Sequence, residues 1–131
     1  LLDTSVIVDL NRIDPEQLPD EPAICAITLA ELAAGPHAAS DPDERARRQD
    51  HLQRVEAIFD PLAFDADAAR AYGRVYAAIV AVGRKARGRR AVDMLIAAVA
   101  LAGGLPLYTC NPDDFVGLTN LLEIVGVSPA T

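Results

Sequence analysis

The chain has 131 residues, 51% of them hydrophobic, and a formal net charge of −7. That length suits one domain, 1–131, with a proper core, and no apolar run is long enough to span a membrane. The negative balance argues against a protein that simply coats nucleic acid. Two cysteines make no disulfide framework. Cys25 and Cys110 fall in separate apolar segments and read as reduced thiols of a cytoplasmic protein. Neither has a histidine close by, so zinc and Cys/His catalysis are not favoured.

In chain order, LLD (1–3) reads as the end of a buried strand. The chain opens inside that strand and carries no signal-peptide pattern, so a few preceding residues are expected. TSVIVDLNR follows as a helix capped by Thr4 or Ser5. The Pro-rich 15–22 is a loop, and AICAI (23–27) is a second short strand. Thr28 opens a helix that Gly35 and Pro36 end. Residues 42–59 have an amphipathic helical pattern. PLAF (61–64) is a third strand, and Asp65 or Asp67 starts a long helix reaching to about Ala86. A buried helix over 92–102 is closed by Gly103 and Gly104. LPLYT (105–109) is a fourth strand, NPDDF (111–115) a turn, and LLEIV (121–125) a fifth strand. Short apolar strands alternating with helices mean an α/β fold with a mostly parallel sheet flanked by helices.

Charge is segregated along this frame. Residues 1–35 hold seven acids and one base, while RKARGRR (84–90) holds five bases and no acid. The run leads directly towards Asp93, the one charged residue of the buried helix. Four acids share one address: Asp3 at the end of the first strand, Glu31 after the second, Asp93 on the buried helix and Asp114 after the fourth. In open parallel sheets, ligands bind at the carboxyl ends of the strands.

Each acid has a structural alternative. Asp3 can cap the first helix, Thr28-Leu-Ala-Glu31 matches a capping box, Asp93 suits a helix dipole, and Asp114 suits its turn. Together these alternatives strain. Unpaired carboxylates about 4 Å apart repel by roughly 4 kcal/mol per pair at an effective dielectric near 20. Such a cluster persists with shared protons or a bound cation. All-oxygen ligands point to Mg²⁺, with Mn²⁺ able to substitute.

The segments LLDTS at the start, AELAAG (30–35), VDMLIAAVA (92–100) and GLPLYTCNPDDF (104–115) resemble a PIN-domain protein. They are most similar to the VapC-type toxins of bacterial toxin–antitoxin pairs. The likeness runs from Leu2 to about Val125. It implies a PIN-like three-layer fold with a five-stranded sheet, and a metal-dependent endoribonuclease. Asp3, Glu31 and Asp93 match the family's three metal-site acids. Asp114 matches one version of the fourth place, with Asn111 and Asp113 as supporting alternatives and Thr4 or Ser5 holding Asp3 or a metal-bound water. Arg87, Arg89 and Arg90 are expected to border the pocket and guide RNA phosphates, or else to form a solvated helix end. The resemblance also implies a homodimer and an antitoxin whose C-terminal segment covers the acidic groove. Transfer RNA is the first substrate expected, ribosomal RNA the second.

Three other readings compete with this one. A structure-specific DNA nuclease would need further elements to grip DNA. A phosphoacceptor receiver domain wants a late lysine, and the only lysine is Lys85. A non-catalytic interaction module would use the acids as helix caps.

Overall fold

Five stretches of backbone lie edge to edge in the computed structural model, which describes residues 1–130. Leu62 donates its N–H to Ile24, Leu2 to Ala23, Asp3 to Tyr108, and Leu107 to Glu123, each at 2.8–2.9 Å. Only the last two stretches pair at enough positions to be strands. These are β1 (Leu107–Thr109) and β2 (Ile124–Gly126), which run parallel with Leu107 opposite Ile124. Leu2 pairs with Tyr108, and Cys25 with Leu62, through single parallel bridges. The expected five-stranded sheet is therefore realised as a two-stranded sheet extended by bridges. The reason is local: a helix starts within a residue or two of each crossing and ends the ladder. The last strand also lies later than expected, because Leu121 and Leu122 are turned back by N–H bonds to the Leu118 carbonyl.

Consecutive residues along these stretches point to opposite sides, as the period of extended chain requires. Leu1, Cys25 and Leu107 join one hydrophobic cluster; Leu2, Ile24 and Tyr108 join the other. The first cluster is covered by α4 (Ala66–Ala81) and α5 (Arg89–Gly103), the second by α1 (Thr4–Val8), α2 (Ala26–Ala38) and α3 (Pro42–Ile58). Helices thus lie on both faces of the bridged segments.

Helix boundaries differ from the sequence expectations in ways that matter for the acids. α1 begins at Thr4 with Asp3 as its N-cap residue, so neither Thr4 nor Ser5 is the cap. α2 begins at Ala26 with Cys25 at its N-cap and runs through Gly35 and Pro36 to Ala38. Thr28 is thus a buried interior residue, and the capping box with Glu31 does not form. α4 stops at Ala81, short of Ala86, because Gly83 adopts φ +78. The N–H of Arg84 reaches back to the Ile79 carbonyl and that of Gly83 to Val80, a helix stop that needs the left-handed residue. α5 begins at Arg89, after Gly88 at φ +64. Asp93 therefore sits in the second turn rather than at the helix head, and the dipole reading loses its geometry. Among the described residues, no helix is long and apolar enough to cross a membrane.

Candidate active site

Asp3 closes the first extended segment where the chain turns into α1, and only 2% of its surface is exposed. Its Oδ2 accepts two hydroxyls, from Ser5 at 2.8 Å and from Thr109 at 2.9 Å. Each of those hydroxyls also accepts a backbone N–H at 3.0 Å, from Cys110 into Ser5 and from Asn111 into Thr109. A hydroxyl has one proton to give and an ionised carboxylate can only accept, so both protons are directed at Asp3. The other oxygen, Oδ1, is buried with no hydrogen-bond partner. A carboxylate oxygen buried without a donor is costly unless positive charge faces it.

Glu31 approaches from the second turn of α2. Its Oε1 accepts the Thr4 hydroxyl at 2.6 Å, and Thr4 Oγ1 lies 3.0 Å from Thr28 Oγ1. Its Oε2 accepts from Nη1 of Arg89. Asp93, buried, comes from α5, and the Nε of the same Arg89 lies 3.7 Å from its Oδ1. The Asp93 carboxyl is pushed up to about 7, first by burial, then by the negative charge of Asp3; Asp114 and Glu31 add to the rise, and Arg89 opposes it. That set of causes brings all four expected acids into one electrostatic neighbourhood.

The acids nevertheless stop short of a closed cage. Among the described residues, no three His, Cys, Asp or Glu side chains are gathered tightly enough to hold one ion. The donor chemistry, all carboxylate oxygen, and the unpartnered Oδ1 of Asp3 both suit a hard cation. The guanidinium of Arg89 stands between Glu31 and Asp93 as their counter-charge.

Asn111, Asp113 and Asp114 are exposed on the 3-10 turn Pro112–Phe115 and the residue before it. Asp114 acts on Asp93 through its charge. Asp113 instead offers its backbone carbonyl to Arg84 at 3.1 Å. The basic run does not form a helix end as one alternative had it. Residues 84–88 lie in the link between α4 and α5, with Arg87 exposed, and Arg89 and half-buried Arg90 open α5. Arg89 is tied into the acids.

Beside the acids lies a cavity of about 680 Å³ between α1, α2 and α3. Glu31 and Arg89 line one end, with Thr4, Ser5 and Asn111. Arg47, Arg48 and His51 of α3 line another part. Sequence reasoning missed these α3 residues and also Thr109. Thr109 had a usable signal: a hydroxyl at the end of a strand that neighbours the strand carrying Asp3. The α3 residues had none, since they lie on an ordinary charged helix.

A family model described as PIN domain matches residues 1–118. The chain is 39% identical over 127 residues to Ribonuclease VapC5 of Mycobacterium tuberculosis, covering 95% of this chain and 90% of that protein. It is 34% identical over 117 residues to Ribonuclease VapC4 of the same organism, covering 86% of each. The crystal structure of VapBC-5 from Mycobacterium tuberculosis, a member of the VapBC family of toxin–antitoxin systems, matches with a TM-score of 0.83 at 39% identity, over 96% of each chain.

Proposed function

The chain belongs to the PIN-domain family and resembles its VapC members, and from that premise we propose that it is a VapC-type endoribonuclease, the toxin of a toxin–antitoxin pair. The observation that carries this reading is the Asp3 arrangement. Two hydroxyls fix one carboxylate oxygen, the other is buried without a partner, and the charge of Asp3 reaches Asp93. Asp3, Glu31, Asp93 and Asp114 are the residues that would hold Mg²⁺, or Mn²⁺ in its place. When bound, the ion supplies charge neutralisation at the phosphoryl oxygens and a more acidic water.

The chain's own groups do the rest. Thr109 and Ser5 aim Asp3, and Thr4 aims Glu31. Asp93 is the strained carboxylate of the group, its carboxyl raised to about 7 by burial and by Asp3. Arg87, Arg89 and Arg90 offer positive charge to RNA phosphates at the rim. The acidic end of the cavity suits the basic C-terminal segment of an antitoxin. Half-exposed Tyr76, Val80, Val82 and Val116 suit a homodimer contact. The setting is the cytoplasm, and transfer RNA precedes ribosomal RNA as the expected target.

The test is brief expression in a cell lacking the antitoxin, followed by sequencing of new RNA 5′ ends, beside an assay of the purified protein with Mg²⁺ and with excess chelator. Discrete new ends and chelator-sensitive cleavage are expected. Full cleavage in chelator would remove the metal from the proposal, and cleavage of DNA alone would remove the RNA.

A further inference from the structure

Arg89 makes two contacts that no other cation of the described residues makes. Its Nη1 donates to Oε2 of Glu31 on α2, and its Nε lies 3.7 Å from Oδ1 of Asp93, one turn along α5. Arg84 is engaged with the Asp113 carbonyl, and Arg87 stands exposed. We propose, resting on the metal-dependent reading above, that Arg89 is a built-in counter-cation that exchanges with the metal ion: it holds Glu31 and Asp93 until the ion takes their oxygens, and is then released towards the substrate.

The two carboxylates sit deep while the arginine does not. The Asp93 and Glu31 side chains are 6% and 19% exposed, against 60% for Arg89. A guanidinium so exposed forms a weak ion pair, because water screens it and a long side chain must be ordered to keep it. It can therefore leave without disturbing the fold. It also cannot remain in place once a divalent ion binds the same oxygens, since two cations a few ångströms apart repel strongly at the dielectric of a half-buried site. Gly88, at φ +64 and ψ −140, fixes the arrangement, because it makes Arg89 the first residue of α5, with Asp93 one turn on.

Exchange has a consequence that simple RNA binding by Arg89 lacks. Removing the arginine should strengthen metal binding while weakening the grip on RNA. Mn²⁺ alone is the probe, titrated into the full chain and followed by its electron paramagnetic resonance signal. Arg89→Gln should bind Mn²⁺ about tenfold tighter than the parent, as loss of a nearby positive charge dictates. Arg89→Lys, which keeps the charge but cannot span both carboxylates, should fall between. Arg54→Gln, which removes the same net charge from an exposed pair with Asp50 on α3, should match the parent. A second measurement uses the parent chain itself: the Arg89 Nε–H resonance should shift on addition of Mg²⁺, while that of Arg48 stays. Equal or weaker Mn²⁺ binding by Arg89→Gln, or an unmoved Arg89 resonance in a chain that does bind metal, overturns the exchange alone. Absence of metal binding in both parent and Arg89→Gln overturns the exchange and the metal-dependent reading together.

Discussion

Thr109 donates its hydroxyl to Oδ2 of Asp3 at 2.9 Å across 106 positions of sequence, and both residues are buried. The pair ties the end of β1 to the start of α1 and sets which carboxylate oxygen is left for other work. Thr109→Val keeps the shape and removes the donor. It also strands the Asn111 N–H that the hydroxyl accepts. A stability loss of about 1–3 kcal/mol is expected, as for other buried groups left unpaired. RNA cleavage should fall well beyond the loss of folded protein, and Thr109→Ser should restore both. Denaturant titration and a cleavage assay on the same samples check this. Normal cleavage by the valine variant would mean that Asp3 needs no such aiming.

Glu31→Gln separates holding from ligation. The capping role suggested by Thr28 is gone, because α2 begins at Ala26 and Cys25 occupies the N-cap. A glutamine can still accept the Thr4 hydroxyl, so the fold should stay within about 1 kcal/mol of the parent. Its amide carries no charge for a hard cation. Cleavage should drop at least about a hundredfold, or roughly 2.7 kcal/mol of barrier, and the rise in melting temperature with Mn²⁺ should shrink. A Gln variant that cuts RNA at the parental rate in saturating Mg²⁺ would remove Glu31 from the site.

Asp3, Glu31 and Asp114 were legible because each follows an extended segment, and the carboxyl ends of parallel segments meet along one edge. Asp93 stood out as the one charged residue of the apolar stretch 91–104. The alternation of Leu1 and Leu2, or Ile24 and Cys25, was equally readable as extended chain. Ladder length was not. Hydrophobicity marks a buried stretch, but whether it pairs at one position or three depends on how soon the helix after it starts. The helices that carry Glu31 and Asp93 start earlier than the sequence pattern suggests, since Cys25 and Gly88 lack the polar side chains that announce a cap. The position of Arg89 was hidden for another reason. A run of bases reads as one patch, and only the backbone turn at Gly88 singles out the arginine that reaches the acids.

The turn after β1 offers three candidates for the fourth acidic place, and their surroundings differ. Asp114 raises the Asp93 carboxyl through its charge, whereas Asp113 engages Arg84 through its main chain. Asn111 lines the neighbouring cavity. Asp114→Asn should therefore lower cleavage and weaken Mn²⁺ binding, and Asp113→Asn should do neither. Stability should stay within about 0.5 kcal/mol in both, because the residues are exposed. The reverse pattern, with Asp113 required and Asp114 dispensable, would reassign the place.

Asp93 supplies the prediction with the clearest sign. Its carboxyl lies at about 7 in the folded chain against an ordinary 3.8, raised first by burial and then by Asp3. Between those values the folded state binds more protons than the unfolded one, so stability falls as pH rises from about 4 to about 7 and then levels. The loss amounts to something on the order of 3 kcal/mol. Asp93→Asn carries no titrating group there. In excess chelator its stability should lack this decline, so that it matches or trails the parent at pH 4 and exceeds it at pH 8. An acid that merely complements the helix dipole gives the opposite sign at pH 8, where the asparagine variant would be the weaker. Added Mn²⁺ should reverse the order at pH 8, stabilising the parent, which keeps its carboxylate, more than the variant. Urea midpoints of parent and Asp93→Asn at pH 4, 6 and 8, with and without Mn²⁺, measure all of this. Parallel declines in the two proteins would show that Asp93 is not the strained carboxylate of the site.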